Sequence, residues 1–226
     1  MQHKPYGPYE RFIKRPLDCF LASLAFILLS PVLLITAILV RVQLGSPVLF
    51  TQDRPGRNEK MFRLCKFRSM TDARDENGKP LPDDVRLTRF GRLLRSTSLD
   101  ELPELINIIR GDMAIVGPRP LLPEYLPYYT EEEHRRHDVR PGLTGLAQIN
   151  GRNAIANWEE RFRYDLMYVN HITFMGDIKI LFATLGKVVR RSDIQVGSEI
   201  KAGRLDVARR ERHHSEVSEN GHSQKG

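Results

Sequence analysis

The sequence predicts an α+β protein, mostly helical, in which an N-terminal re-entrant membrane helix–break–helix carries a compact cytoplasmic domain with interfacial amphipathic helices. Three observations predict it. Residues 19–40 (CFLASLAFILLSPVLLITAILV) form a run without a charged side chain; Ser30-Pro31 interrupts that run near its middle; and basic residues crowd both flanks. The predicted organisation is a polar arm over 1–11, a membrane hairpin over 12–44 bent at Ser30-Pro31, a folded domain over 45–192 and a disordered tail over 193–226.

As one continuous helix, residues 19–40 would be about 33 Å long, enough to cross a bilayer's hydrocarbon core. An all-apolar core helix of a soluble domain is the bland alternative. Proline at 31 removes a backbone hydrogen bond and clashes with the preceding turn, so a kink is expected, and Ser30 can satisfy the carbonyl that the proline frees. Two topologies remain, a kinked spanning helix and a hairpin that enters one leaflet and returns. Lys4, Arg11, Lys14 and Arg15 precede the run, and Arg41, Arg54, Arg57, Lys60 and Arg63 follow it. Basic flanks mark the cytoplasmic side, so a spanning helix would leave one set on the wrong side. The hairpin satisfies both. The run is too long for a secretory h-region, and no small-residue cleavage site precedes Arg41, so the segment is expected to be retained.

The domain after the hairpin is long enough to bury its own core. Its chain is 41% hydrophobic and 28% charged, as an ordinary globular protein is, but the net charge of +7 points to a polyanionic partner such as anionic lipid or a phosphorylated substrate. A nucleic-acid role is disfavoured, because aromatics do not interleave with the arginines as a stacking platform requires. Of the two cysteines, Cys19 falls in the membrane run and Cys65 in the domain. A structural disulfide is therefore not expected, which fits a reducing compartment.

Taken in order, Arg15 and Asp18 share a helix face at the mouth of the apolar run, where an ion pair between them is expected. After the Gly45-Ser-Pro47 break, residues 48–52 read as a strand and 53–56 as a turn; residues 61–68 alternate apolar and basic side chains and read as a second strand, with Lys66 and Arg68 on one face. Residues 71–84 are a polar loop. Residues 85–97 place Leu87, Phe90, Leu93 and Leu94 at helical spacing between four arginines, a basic amphipathic helix that lies either on the membrane or on the core. Ser98 followed by Glu101 reads as a capping box opening the helix that Gly111 ends, so that Asp100 and Glu101 are either caps or chemistry. Residues 113–116 read as a short strand leading to Pro118-Arg119-Pro120, which is either a rigid turn or the mount of a phosphate-binding arginine. Residues 130–138 (TEEEHRRHD) read as an exposed helix start. The glycine-rich segment 139–153 reads as a loop whose backbone can approach a ligand, and helices over 158–169 and 177–191 close the domain.

Together, KRPLD ahead of the apolar run, the Ser30-Pro31 break, KFRSM, RSTSLDELPELINIIRGDMAIVGPRP and VRPGLTGLAQINGRN resemble the bacterial sugar transferases over residues 11–192. The likeness is to the small monotopic phosphoglycosyl transferases, without the additional membrane helices of the larger relatives. The resemblance implies transfer of sugar-1-phosphate from a UDP-sugar to polyprenyl phosphate at the cytoplasmic face of the bacterial inner membrane. It implies an Asp-Glu dyad at Asp100 and Glu101, with Asp100 holding Mg²⁺ and serving as nucleophile. Lys66, Arg68, Arg95, Arg119, Arg140, Gln148 and Arg152 are the expected substrate-binding residues. A non-catalytic scaffold on anionic lipid is the competing reading; the two diverge at Asp100, which only an enzyme needs.

Overall fold

The computed structural model describes residues 3–151, 157–190 and 203–210. It is mostly helical with two small sheets. Helices α1 (Lys14–Leu28) and α2 (Ser30–Leu44) form the N-terminal pair. Strands β1 (Leu49–Pro55) and β2 (Met61–Phe67) follow, then α3 (Asp83–Arg86), α4 (Arg89–Ser96) and α5 (Glu104–Arg110). Strand β3 (Ala114–Val116), α6 (Glu131–His134), β4 (Gly142–Thr144), α7 (Leu146–Ile149), α8 (Trp158–Asn170) and α9 (Phe174–Arg190) complete the order.

Among the described residues no single helix is long and apolar enough to cross a membrane; by length and composition a helical segment Tyr9–Leu28 and α2 together are, and they meet at a bend of 63°. The bend falls at Leu29 and Ser30. Pro31 deprives the Ile27 carbonyl of its usual donor, and the Ser30 hydroxyl donates to that carbonyl at 2.8 Å. Many outward side chains of the pair, among them Phe20, Ile27, Leu28, Leu34 and Val42, are uncovered by protein. The inner face is packed: Ala22 of α1 joins Phe62, Leu64, Leu105, Ile108 and Met113 in one core cluster, and Val40 of α2 joins Phe67 and Leu94 in another.

The expected Arg15–Asp18 pair does not form. Asp18 takes Lys14 as partner at 3.4 Å, an i,i+4 contact. Arg15 instead donates to the Ile108 and Ile109 carbonyls at 2.7 and 3.0 Å, capping the C-terminal end of α5, whose carbonyls lack intrahelical donors. Lys14 also reaches Asp177 at the start of α9, 2.6 Å away. The Tyr9 hydroxyl donates to the same Asp177 at 2.7 Å, and the Tyr168 hydroxyl lies 2.8 Å from its other oxygen. This buried cluster fastens the α1–α2 pair to α8 and α9.

Strands β1 and β2 pair antiparallel, Leu49 opposite Phe67 through Pro55 opposite Met61. Strands β3 and β4 pair in parallel, Ala114 beside Gly142 and Val116 beside Thr144. The glycines expected to admit a ligand admit backbone. A Cβ on Gly142 would lie 2.1 Å from the Gly117 nitrogen, and one on Gly145 would lie 2.2 Å from the Gly117 oxygen. The basic helix α4 turns its stripe to protein: Leu94 is buried and Phe90 packs beside it, while Leu93 remains exposed. The segment 130–138 is not an exposed start. Thr130 and Glu133 form a capping box, and Glu133, Arg136 and His137 are buried. Within the stretch read as a loose tail, residues 205–210 are helical, and Leu205 is buried with Tyr125, Trp158 and Phe162.

Asn107 joins the strand pair to α5. Its side chain accepts from the Cys65 nitrogen at 3.0 Å and donates to the Arg63 carbonyl at 2.8 Å, with almost no exposure to water. Asn107→Ala strands both backbone groups of β2. It is expected to lower the unfolding free energy by about 2–4 kcal/mol, read from urea unfolding of the detergent-solubilised protein.

Candidate active site

The dyad does not sit at the N-cap of an α-helix. Ser98 has φ 56° and ψ 17° and makes no side-chain cap, so the predicted capping box is absent. A serine in the left-handed region directs its side chain away from the amides that a cap would satisfy. Residues Leu99–Glu101 form one 3₁₀ turn, and α5 begins only at Glu104. The turn buries Asp100 and Glu101, each under a tenth exposed, and the first turn of α5 adds Glu104, which is 1% exposed. Three carboxylates thus occupy five residues, held out of water.

Such a concentration of negative charge is tolerable only beside cations. Lys66, projecting from β2, places Nζ 3.0 Å from a carboxylate oxygen of Glu101 and 3.0 Å from one of Glu104. Arg119, set between Pro118 and Pro120, forks onto Glu101 in a short, charge-assisted contact. Burial alone would depress the Arg119 guanidinium, but Glu101 and Glu104 more than reverse that and hold it above its ordinary value. Arg95 of α4 is anchored by Ser69 at 3.0 Å and adds positive potential at Asp100.

Asp100 and Glu101 are consequently unlike. Glu101 is engaged by Lys66 and Arg119. Among the described residues, none donates a hydrogen bond to the Asp100 carboxylate. Burial, and after it the charge of Glu101, pushes the Asp100 carboxyl up from about 3.8 to about 6, against the pull of Lys66, Arg95 and Arg119. A carboxylate at a helix N-terminus would be held ionised by the dipole. In the structure Asp100 is ionised only above about pH 6, and as a stronger base than an ordinary carboxylate.

Of the expected substrate-binding residues, Lys66, Arg95 and Arg119 come together around the dyad. Arg68 turns away and donates to the Ser46 carbonyl at 2.8 Å. Arg140 donates to the Gly111 carbonyl at 2.9 Å, beside Arg15 at the C-terminal end of α5, which lies about 10 Å along the helix from the dyad. Gln148 lines an apolar cavity adjoining Glu101. Arg152 lies outside the described residues.

Three contributors escaped the sequence reading. Glu104 stands four residues after Asp100, a spacing that stacks the two on one helical face, and this was the available signal. Arg54 of β1 is pushed down to about 10 by burial and then by repulsion from Arg119, so it adds a second guanidinium to the same surroundings. Arg136 donates to the Arg119 carbonyl at 2.8 Å while paired with Asp165 at 2.8 Å, both side chains nearly inaccessible. His137, next to it, is pushed down to about 3 by burial and by Arg136, so it stays neutral across the physiological range.

No group of three or more His, Cys, Asp or Glu side chains converges on a metal position among the described residues. Magnesium, however, is commonly held by one or two carboxylates together with substrate phosphates. Asp100, with no donor on its carboxylate among the described residues, offers a hard oxygen of that kind. The residues therefore fit an ion that arrives with a diphosphate and do not form a cage of their own.

The raised Asp100 pKa carries a stability cost with a definite sign. The folded state holds the proton between about pH 4 and pH 6, where the unfolded chain has lost it. Stability from this group is therefore full below pH 4 and lost as pH rises through 6. Asp100→Asn removes the buried anion and is expected to be more stable than the wild type at pH 8 by up to about 3 kcal/mol. The difference should shrink toward zero at pH 4, as read from denaturation curves of the two proteins across pH.

Comparison with known proteins adds independent support. Residues 9–191 match the bacterial sugar transferase family model. An uncharacterized sugar transferase of Bacillus subtilis is 51% identical over 193 residues, covering 85% of this chain and 95% of the relative. The UDP-glucose:undecaprenyl-phosphate glucose-1-phosphate transferase of Escherichia coli is 41% identical over 194 residues, covering 81% of this chain and 41% of the relative. The UDP-N-acetylgalactosamine-undecaprenyl-phosphate N-acetylgalactosaminephosphotransferase of Aeromonas hydrophila is 35% identical over 190 residues, covering 81% of this chain and 45% of the relative. The chain thus spans less than half the length of the latter two and nearly all of the first. With a family match over most of its length, and relatives this similar, the chain belongs to the bacterial sugar transferase family.

Proposed function

We propose that the protein transfers sugar-1-phosphate from a UDP-sugar to polyprenyl phosphate, releasing UMP, at the cytoplasmic face of the bacterial inner membrane. The observation that carries this reading is the asymmetry of the dyad: one carboxylate locked by two cations, its neighbour without a donor among the described residues and raised to about 6. A buried, basic, unengaged carboxylate is what nucleophilic attack on phosphorus requires. The relatives whose names state a reaction act on UDP-sugars and undecaprenyl phosphate, which matches the chemistry of such a site.

In this mechanism an Asp100 oxygen attacks the sugar-linked phosphorus of the UDP-sugar. The bond from that phosphorus to the bridging oxygen breaks, and its electron pair leaves with UMP. The product is a phosphosugar ester of Asp100. A phosphate oxygen of the polyprenyl phosphate then attacks the same phosphorus, expels the Asp100 carboxylate and yields the polyprenyl diphosphate sugar. Dividing the transfer this way keeps two anionic substrates from having to meet. Lys66, Arg95 and Arg119 offset charge on the diphosphate, and the fixed backbone of Arg119 keeps its fork pre-aimed. Glu101 holds Lys66 and Arg119 in place. Magnesium, held by Asp100 and the substrate's own phosphate oxygens, would offset further charge when bound. The bent α1–α2 pair would be a re-entrant hairpin that seats this site at the level of the lipid headgroups.

Three outcomes test the proposal. Two-substrate kinetics should be ping-pong, with one UMP released per enzyme from UDP-sugar alone; release that needs both substrates would point to direct transfer and leave Asp100 as a metal ligand. Arg119→Lys retains a charge but not the planar fork, and kcat/KM should fall at least tenfold, whereas wild-type turnover would reduce Arg119 to a turn element. For the topology, cysteines placed in the N-terminal arm and after α2 should both label only from the cytoplasmic side. Pro31→Ala should move one of them to the other face; labelling of the unmodified arm from the periplasm defeats the hairpin.

A further inference from the structure

Beside the dyad lies a cavity of ≈ 520 Å³ that the chemistry above does not use. Its floor is the turn carrying Glu101 and Leu102, its back wall Ile115 and Leu143 from the parallel strands, and its side Leu181 and Leu185 of α9. The volume is that of a small-molecule site. Most of the lining surface is apolar, with Thr97, Ser98, Thr144, Gln148 and Thr184 interspersed, and the cations suited to a diphosphate, Lys66, Arg95 and Arg119, are not part of it. A diphosphate would lose hydration there without meeting those three cations. The space suits the apolar portion of a ligand whose charged end reaches the dyad.

We propose that this cavity holds the phosphate-proximal isoprene units of the acceptor, so that α9 is the helix that selects and aligns the lipid substrate. The inference rests on the function proposed above and adds to it the place of the acceptor. One further feature favours a polyprenyl phosphate over other occupants: the cavity opens along α9 past uncovered apolar side chains, with Phe182 69% and Leu185 60% exposed. A chain too long for the cavity can leave across that surface into lipid without crossing water.

The experiment uses the full chain in lipid nanodiscs with a polyprenyl phosphate carrying a diazirine in its phosphate-proximal isoprene. Photolabelled peptides are expected to map to 143–149 and 178–188, and excess unlabelled polyprenyl phosphate should compete the labelling. Adducts on α1 or α2 instead, or equal labelling by a diazirine phospholipid that polyprenyl phosphate does not displace, would overturn the assignment. Kinetics give a second reading. Leu185→Trp, which fills the cavity mouth, is expected to raise KM for polyprenyl phosphate at least tenfold while KM for the UDP-sugar moves less than twofold. Met175→Gln removes an exposed apolar side chain from the same helix outside the cavity. It should shift neither constant; an equal rise in both variants would mean general membrane affinity and would count against the site. Should the wild type release no UMP with any UDP-sugar, the proposed function fails, while the photolabelling still decides where the lipid sits.

Discussion

Keeping carboxylates out of water is the constraint on which the rest of this structure depends. Asp100, Glu101 and Glu104 are all buried within one turn of chain, and ionised groups in that setting are costly unless cations are brought to them. The chain meets the cost from three distant segments. Lys66 comes from the antiparallel pair, Arg95 from the basic helix, and Arg119 from a proline-locked turn. Each of these is in turn held by something else. Asn107 ties β2 to α5, Ser69 anchors Arg95, and the buried Arg136–Asp165 pair grips the carbonyl of Arg119. The compensation is incomplete at Asp100, and that remaining desolvation is what makes this carboxylate basic.

Helix α5 links this charge arrangement to the α1–α2 pair. Acidic side chains precede and open it, while Arg15 and Arg140 cover its last carbonyls and Gly111, a distribution that complements the helix dipole at both ends. Arg15 belongs to α1, so the helix that follows the dyad is fastened directly to the bent N-terminal pair. A second fastening, the Lys14–Asp177 pair with its two tyrosines, joins α1 to α9. The dyad and the cavity are therefore both fixed relative to the α1–α2 pair by buried polar contacts, which are directional where apolar packing is not.

Much was legible in the chain itself. The uncharged run and its Ser30-Pro31 break require only local stereochemistry, so the bent helix pair and the Ser30 hydroxyl on the Ile27 carbonyl follow from sequence alone. The alternation over 61–68, the Gly111 stop with φ 102°, and the helices read from 158 and 177, which begin at Trp158 and Phe174, are equally local signals. Asp100 and Glu101 are by local pattern either caps or chemistry, and only the resemblance singles them out. What could not be read locally was which of several charges pairs with which. Arg15 had a neighbour at Asp18 and went to α5. Arg140, within a motif, went to the same helix end. TEEEHRRHD looks like a solvated run, yet Arg136 is buried by an aspartate 29 residues away.

The sequence by itself determined where helices bend and stop, which stretch is apolar throughout, and which carboxylates are candidates for chemistry, because backbone sterics and hydrophobic periodicity act over a few residues. The tertiary structure alone decided that Ser98 is no cap, that the glycines of 142–145 serve strand contact, and that among the described residues Glu101 and not Asp100 takes the donors. Those outcomes depend on desolvation and on charges set side by side from segments far apart in the chain, and neither has a value until the fold has excluded water and fixed the distances.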